Sequence, residues 1–324
     1  MKKIKYTVGA AVGALALAAP AMAEVWDMPM AYSASNFHSE MGVVFADKVK
    51  DYTAGDLEIT VHPGGSLFKG GEIKRAVQTG QANIGERFMS AHANELPILG
   101  WDNLPFIATT YADSDRLWAA AKDTVNAALA DQNLKVLYTC PWPGQGFYFN
   151  KDVNSSADTK GVKFRSYNAA TATFAEELGM IPVQIEAAEI SQAFATGVAE
   201  AMISSGSTGY DRKLWENVSN YYKVNAWLPR NYVMVNAQSW DGLSAATQAG
   251  VQKAADETGA ACSAKSAELS DWYFEQLAAN GMKVEDASPE FLAELKAIGA
   301  KMTADWLATV GEDGQAILDA YNAN

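Results

Sequence analysis

Arg165 is the residue of this sequence with the clearest chemical use. It follows Val162 and Phe164 in the run GVKFRS, whose apolar residues are typical of a short strand. A guanidinium group can hold a carboxylate through two parallel hydrogen bonds. The sequence therefore predicts a binding site for an organic anion, with an ion pair between Arg165 and Glu186 or another nearby acid as the alternative.

The motifs of common enzyme classes are absent from the sequence. It contains no GxGxxG, no HExxH and no GxSxG, and the glycine-rich run GSLFKGG at 65–71 lacks the lysine and hydroxyl residue of a phosphate-binding loop. The histidines His38, His62 and His92 are not spaced as pairs of metal ligands. We therefore expect no catalytic residue, no metal ligand and no cofactor. A secreted hydrolase with a triad assembled from distant positions is the alternative.

The composition is that of a globular protein with a large core. The chain has 324 residues, of which 49% are hydrophobic and 19% charged, with a formal net charge of −13. This composition excludes a disordered chain, and the length favours two domains of about 100–200 residues. The negative charge argues against a nucleic-acid partner, because it would repel phosphate groups.

The first 23 residues have the pattern of a signal peptide. MKKIKY is cationic, a weakly apolar run follows, and Ala21-Met22-Ala23 has the small residues of a cleavage site. The apolar run is shorter than the ~20 residues that cross a bilayer, and no later apolar run is long enough either. We expect cleavage after Ala23 and a periplasmic protein that does not itself span the membrane.

The two cysteines, Cys140 and Cys262, lie far apart in the sequence and have no CxxC partner. This spacing excludes the common redox and zinc motifs. In an oxidising compartment they form either a long-range disulfide or two buried thiols, and the sequence alone leaves both open.

Strand-like and helix-like segments alternate along the chain, which predicts an α/β fold with parallel strand pairing and a ligand crevice at the carboxyl ends of the strands. A proline-free stretch from Ser244 to Asn280 is long enough to brace two domains as a single helix. Two helices broken near Gly259 are the alternative. The predicted strands are 25–30, 57–62, 83–85, 136–140, 146–150, 162–165, 183–185, 201–204 and 227–236, and the predicted helices before the long one are 39–52, 73–79, 169–178 and 188–196.

Several segments together resemble the substrate-binding proteins of tripartite ATP-independent periplasmic (TRAP) transporters, the DctP-like family. They are FADKVKDYTAGDLEITVHPGGSLFKGGE at 45–72, LPFIATT at 104–110, and ADTKGVKFR at 157–165 followed by the pattern E-x-x-x-A-x-x-x-G from Glu189 to Gly197. The resemblance extends over essentially the whole chain after residue 23.

The resemblance implies a two-lobed periplasmic binding protein with crossing hinge strands and a long helix that braces both lobes. Lobe I would contain residues 24–143 and 232–272, and lobe II residues 144–231 and 273–324. Such a protein closes on a small organic acid and delivers it to the membrane subunits of a TRAP permease, without catalysis.

The resemblance also implies which residues contact the ligand. Arg165 matches the family arginine that binds the ligand carboxylate. Glu86 matches a ligand-proximal glutamate of sialic-acid-binding relatives, and the neighbouring Arg87 either reaches the crevice or pairs with Glu86. The loop before the first helix supplies three further candidates, Asn36, Phe37 and His38.

Two positions depart from the sialic-acid-binding relatives. Gln145 stands where those relatives have a second arginine, and Ser204 where they have an asparagine. Because a second ligand carboxylate would lack a cationic partner unless Arg87 supplied one, we expect a monocarboxylate. Nearby aromatic residues favour an aromatic one such as benzoate or hydroxybenzoate, with sugar acids, 2-oxo acids and C4-dicarboxylates as alternatives. The aromatic candidates are Trp142, Phe147, Tyr167 and Tyr210.

Overall fold

A computed structural model describes residues 23–323 as a mixed α/β protein with strands and helices in each of two lobes. The predicted signal peptide, apart from Ala23, lies outside the described residues. The strands are β1 Glu24–Pro29, β2 Leu57–His62, β3 Ile84–Phe88, β4 Leu134–Pro141, β5 Gly146–Phe149, β6 Lys163–Ser166, β7 Ile181–Gln184, β8 Ala201–Ser204, β9 Asn220–Lys223, β10 Arg230–Asn236 and β11 Lys283–Asp286. The helices are α1 Phe37–Tyr52, α2 Ile73–Gln78, α3 Tyr111–Ala130, α4 Ala169–Glu177, α5 Ile190–Ala195, α6 Gly206–Asp211, α7 Ala237–Gly242, α8 Ala245–Ala279, α9 Pro289–Val310 and α10 Glu312–Ala323.

Lobe I contains five strands in a two-stranded and a three-stranded group. β1 pairs with β2 in parallel, and β10 lies between β3 and β4 and is antiparallel to both. A parallel bridge between Met30 and Glu86 joins the two groups. Apolar residues of α2 and α3 cover one face of β10, and those of α1 and α8 cover the other.

The sheet of lobe II has six strands in the order β11-β9-β5-β8-β6-β7. The pairs β8–β6 and β6–β7 are parallel, as predicted, but β5 is antiparallel to both of its neighbours. The predicted parallel pairing therefore does not extend to β5 and β10.

Two short connections between the lobes explain the antiparallel pairs. Residues 142–145 lead from β4 to β5, and residues 224–229 lead from β9 back to β10. These crossing segments run side by side in opposite directions, because Gln145 N–H donates to Trp227 O at 3.0 Å and Ala226 N–H donates to Gln145 O at 3.0 Å. Neither connection contains a crossover helix, which parallel pairing would require. The strands that these segments connect therefore pair with antiparallel neighbours.

Helix α8 is continuous and packs on both lobes. It begins at the N-cap Ser244, whose side chain accepts from Thr247 N–H at 3.1 Å. Its first part packs against α1 and β4, and its last part against α6 and β11. Gly259 lies inside the helix, where an added Cβ would be 3.1 Å from Tyr138 Cβ. The glycine permits close packing on β4 and does not break the helix. Of the two predicted possibilities, the structure therefore has the single bracing helix and not two helices.

The end of the chain returns from lobe II to lobe I. The first part of α9 contributes Phe291 and Leu295 to the core of lobe II. Its last part reaches lobe I, where the indole of Trp306 donates to Pro97 O at 2.9 Å. Helix α10 packs on α3 with Ile317 and Tyr321. The predicted division places 273–324 in lobe II, whereas the last part of α9 and helix α10 pack on lobe I.

Cys140 and Cys262 form a disulfide, with their Cα atoms 5.6 Å apart. The bond joins β4 to α8, so of the two alternatives left by the sequence the structure has the disulfide. Within residues 23–323, no helix combines the length and hydrophobicity that crossing a membrane requires.

Candidate functional site

A cavity lies between the two lobes, beside the crossing segments. Its volume, measured as the space open to the centres of water molecules, is about 50 Å³. One water needs only ~10–15 Å³ by this measure, so the cavity has room for several. From lobe II it is lined by residues at or just after the carboxyl ends of β6, β7 and β8, which is where the sequence predicts the ligand crevice. The lining residues are Tyr32, Arg87, Phe88, Trp142, Gln145, Arg165, Tyr167, Glu186, Ala187, Ser204, Ser205, Thr208 and Pro229.

The guanidinium of Arg165 lies in this cavity and is buried, with 4% of the residue exposed. Its Nε donates to Ile185 O at 2.9 Å, and the group lies 5.2 Å from the centre of the Tyr167 ring. No acceptor among residues 23–323 pairs with its two Nη atoms. Burial lowers the pKa of Arg165 to about 10, so the group stays cationic at neutral pH. A buried cation without an acidic partner is suited to bind an anion.

Two further charged groups, Arg87 and Glu186, line the same cavity. Arg87 belongs to β3 of lobe I, and Glu186 follows β7 of lobe II. Arg87 Nη2 lies 3.4 Å from Glu186 Oε1, so the ion pair spans the cleft. Together with Arg165, the cavity wall carries two cations and one anion. Its net charge of one positive unit matches a ligand with a single carboxylate.

Aromatic rings and the amide of Gln145 form a further part of the wall. Trp142, Tyr167 and Phe88 present rings, and the rings of Phe88 and Tyr167 are 5.3 Å apart in an edge-to-face arrangement. The Tyr167 hydroxyl accepts from Trp227 Nε1 at 3.0 Å and donates to Gln145 Oε1 at 3.3 Å. Burial raises the pKa of the Tyr167 hydroxyl, so it remains protonated and keeps its donor role.

Behind the Trp142 wall lies a buried polar chain. Trp142 Nε1 donates to Asn231 Oδ1 at 2.8 Å, and Asn231 Nδ2 donates to Glu86 Oε1 at 2.9 Å. The same carboxylate oxygen lies 2.9 Å from His38 Nδ1. Glu86 therefore orients the cavity wall from behind through Asn231, and neither Glu86 nor His38 lines the cavity.

The structure brings six of the twelve predicted site residues together and places the others elsewhere. Phe37 packs edge-to-face on Trp142 at 5.5 Å, outside the cavity. Phe147 is fully buried in the lobe II core against Phe149. Tyr210 packs on Trp272 at 4.8 Å, near the end of α8. The six that line the cavity are Arg87, Trp142, Gln145, Arg165, Tyr167 and Ser204.

Sequence reasoning missed several residues that shape the site, among them Glu186, Tyr32 and Asn231. Glu186 appeared only as a possible partner of Arg165, whereas it pairs with Arg87. Tyr32 lies three residues after the end of β1, and Asn231 lies at the start of β10, where the chain has just crossed between lobes. Their position in the sequence is the signal that could have identified Tyr32 and Asn231, because both residues flank segments that reach the cleft.

Among the described residues, His38 and the two cysteines form a group that resembles a metal site. The His38 ring lies within 4.8 Å of the sulfurs of Cys140 and Cys262, although no histidine is near either cysteine in the sequence. Because the sulfurs are joined in a disulfide, they offer no thiolate to a metal ion.

Comparison with known proteins gives a family match over most of the chain. The family model described as bacterial extracellular solute-binding protein, family 7 (DctP), matches residues 30–309. Among curated proteins, the C4-dicarboxylate-binding periplasmic protein DctP of Rhodobacter capsulatus is 24% identical over 266 residues, which cover 78% of this chain and 77% of that protein.

Solved structures include more similar proteins. A TRAP solute-binding protein from a marine metagenome (unidentified microbe), described as specific for pyroglutamate and in complex with co-purified pyroglutamate, is 76% identical. The match covers 94% of this chain and 100% of that one, with a TM-score of 0.93. DctP6 of Bordetella pertussis, an extracytoplasmic solute receptor binding pyroglutamic acid, is 43% identical over 93% of this chain and 100% of that one, with a TM-score of 0.91.

Proposed function

Because the chain belongs to family 7 of the bacterial extracellular solute-binding proteins, the DctP family, we propose that it captures pyroglutamate for a TRAP permease. Proteins of this family are periplasmic receptors for small solutes and not enzymes. The observation that carries the choice of ligand is the buried Arg165 guanidinium, whose Nη atoms have no partner in residues 23–323 and which faces a cavity of net charge +1.

The chemistry of pyroglutamate fits this cavity. The molecule is a five-membered lactam with one carboxylate, so it carries one negative charge, one N–H donor and one carbonyl acceptor. Arg165 would bind the carboxylate through its Nη atoms. The rings of Trp142 and Tyr167 would pack on the small ring, as apolar cavity walls do on flat ligands. Gln145 and Ser204 would form hydrogen bonds with the N–H and the carbonyl of the lactam.

The similar solved structures support the same choice. Two of them, at 76% and 43% identity, are described as binding pyroglutamate. Pyroglutamate shares with the expected benzoate a single carboxylate on a flat ring, and it differs in having polar lactam atoms. The lactam N–H and carbonyl can form hydrogen bonds with polar residues of the wall such as Gln145 and Ser204, whereas an unsubstituted benzoate has no polar atom apart from its carboxylate.

Calorimetric titration of the mature protein tests the proposal, after unfolding and refolding to remove co-purified ligand. The panel contains pyroglutamate, benzoate, proline, succinate and glucuronate. We expect the tightest binding for pyroglutamate and none in Arg165→Ala. The matched control is Arg75→Ala, which removes an exposed arginine of α2 and should bind as the wild type does. Tighter binding of benzoate or glucuronate than of pyroglutamate would contradict the proposed ligand and leave the family assignment intact.

A further inference from the structure

The ion pair between Arg87 and Glu186 is the part of the cavity that the proposed function leaves unexplained. Arg87 is buried, with 4% of the residue exposed, and Glu186 keeps 44% of its side chain exposed. Arg87 Nη2 lies 3.4 Å from Glu186 Oε1. One partner comes from each lobe, so the pair forms where the lobes meet over the ligand cavity.

Glu186 is the only acid that pairs with Arg87 within residues 23–323. The other polar contact of the guanidinium is its Nε, 3.5 Å from His92 Nε2. Burial lowers the pKa of His92 to about 4, so this histidine is a neutral acceptor at physiological pH. The charge of Arg87 is therefore balanced by Glu186 alone.

Backbone packing holds the pair in place. A Cβ added at Gly70 would be 3.0 Å from Arg87 Nη1 and 3.3 Å from Glu186 Oε2. One added at Gly71 would be 3.6 Å from Glu186 Oε1. The two glycines thus bring the lobe I backbone against the carboxylate of Glu186, and they leave little space for a larger anion beside Arg87.

We propose that Glu186 is a specificity-determining residue, which occupies the place of a second ligand carboxylate and thereby restricts the cavity to monoanions. Arg87 is then a second carboxylate-binding group, neutralised by a residue of the chain itself. The inference deepens the proposed function, because it defines the class of ligand that the same site accepts. Its physical basis is charge: a dicarboxylate would have to displace Glu186 from Arg87 or lie beside it, and like charges at that distance repel.

The test is the variant Glu186→Gln, which keeps the size of the side chain and removes its charge. We expect succinate and glutarate to bind this variant at least about tenfold more tightly than the wild type, the effect of one charge-assisted hydrogen bond. Glu189→Gln is the matched control, because Glu189 is exposed on the same segment and should leave dicarboxylate affinity unchanged. The double variant Glu186→Gln/Arg87→Gln should lose the gain.

An unchanged dicarboxylate affinity in a folded Glu186→Gln protein would overturn the inference. A gain that persists in the double variant would overturn it too, because Arg87 would then not be the receiving group. The proposed function fails separately, if the wild type does not bind pyroglutamate. Thermal melts of each variant establish that it is folded before its affinities are compared.

Discussion

The indole N–H of Trp142 donates to the side-chain carbonyl of Asn231 at 2.8 Å, so the ring that lines the ligand cavity is fixed to the first residues of β10. Trp142 begins one crossing segment, and Asn231 follows the other. The Asn231 side-chain amide forms hydrogen bonds through both its oxygen and its nitrogen, since its Nδ2 donates to Glu86. The wall of the site and the connection between lobes are therefore parts of one hydrogen-bonded unit.

Asn231→Asp should disrupt this unit. The new carboxylate would face that of Glu86 at about the 2.9 Å now bridged by a hydrogen bond. We expect a loss of about 1–3 kcal/mol in the free energy of unfolding, the cost of a buried polar group without its partner. Urea denaturation measures it. Asn94→Asp, at an exposed position of lobe I, is the control, and equal losses in the two variants would contradict the role of Asn231.

Arg165→Lys should weaken pyroglutamate binding by about 10- to 100-fold, and Arg165→Ala should weaken it further. The lysine keeps the positive charge but offers a single ammonium group in place of two parallel donors. Calorimetric titration of both variants separates the contribution of charge from that of geometry. Equal affinities of the lysine variant and the wild type would show that the carboxylate is not held by the guanidinium fork.

Removal of the disulfide by the double variant Cys140→Ala/Cys262→Ala should lower the free energy of unfolding by about 2–5 kcal/mol. The bond closes a loop with a sequence separation of 122, which limits the freedom of the unfolded chain. Denaturation with and without a reductant provides the check. The wild type should lose stability on reduction, while the variant should not respond; a response of the variant would point to another effect of the reductant.

Stability should also depend on pH through Asp211. Burial raises its pKa to about 6, and its Oδ2 accepts from Asn36 of the other lobe at 2.6 Å. Between about pH 4 and 6 the folded protein therefore binds a proton that the unfolded chain has lost, so this group lowers stability as pH rises. Asp211→Asn should gain stability relative to the wild type over this range, by at most about 1.4 kcal/mol per pH unit.

Denaturation at several pH values checks this expectation. Asp241→Asn removes the same charge at an exposed position and serves as the control. A difference between Asp211→Asn and the wild type that stays constant between pH 4 and 6 would refute the assignment.

The local elements were largely predictable because each depends on a nearby pattern. Periodic apolar residues identified α1, and β2 was predicted with the bounds that the structure has. The direction of β5 and β10 was not predictable in this way. It depends on where the crossing segments at 142–145 and 224–229 lie in space, and no periodicity encodes that position.

The same limit explains which site residues were predicted. Arg165 was identified because a cation in an apolar strand is unusual. Phe147 was assigned to the cavity only because it is an aromatic residue near the cleft in sequence. All four residues of β5 are buried, so burial alone does not reveal which face meets the ligand. Glu186 was not placed in the site, because its partner Arg87 comes from a distant strand of the other lobe.

The disulfide also determines how α8 can move. It attaches the helix covalently to β4 at Cys262, while the residues that pack on lobe II lie farther along. Residues 263–279 form an arm of about 25 Å at 1.5 Å per residue. A rotation of roughly 10° about Cys262 would displace the tip of this arm by about 4 Å, so a small movement at the disulfide would be enlarged where α8 packs on lobe II.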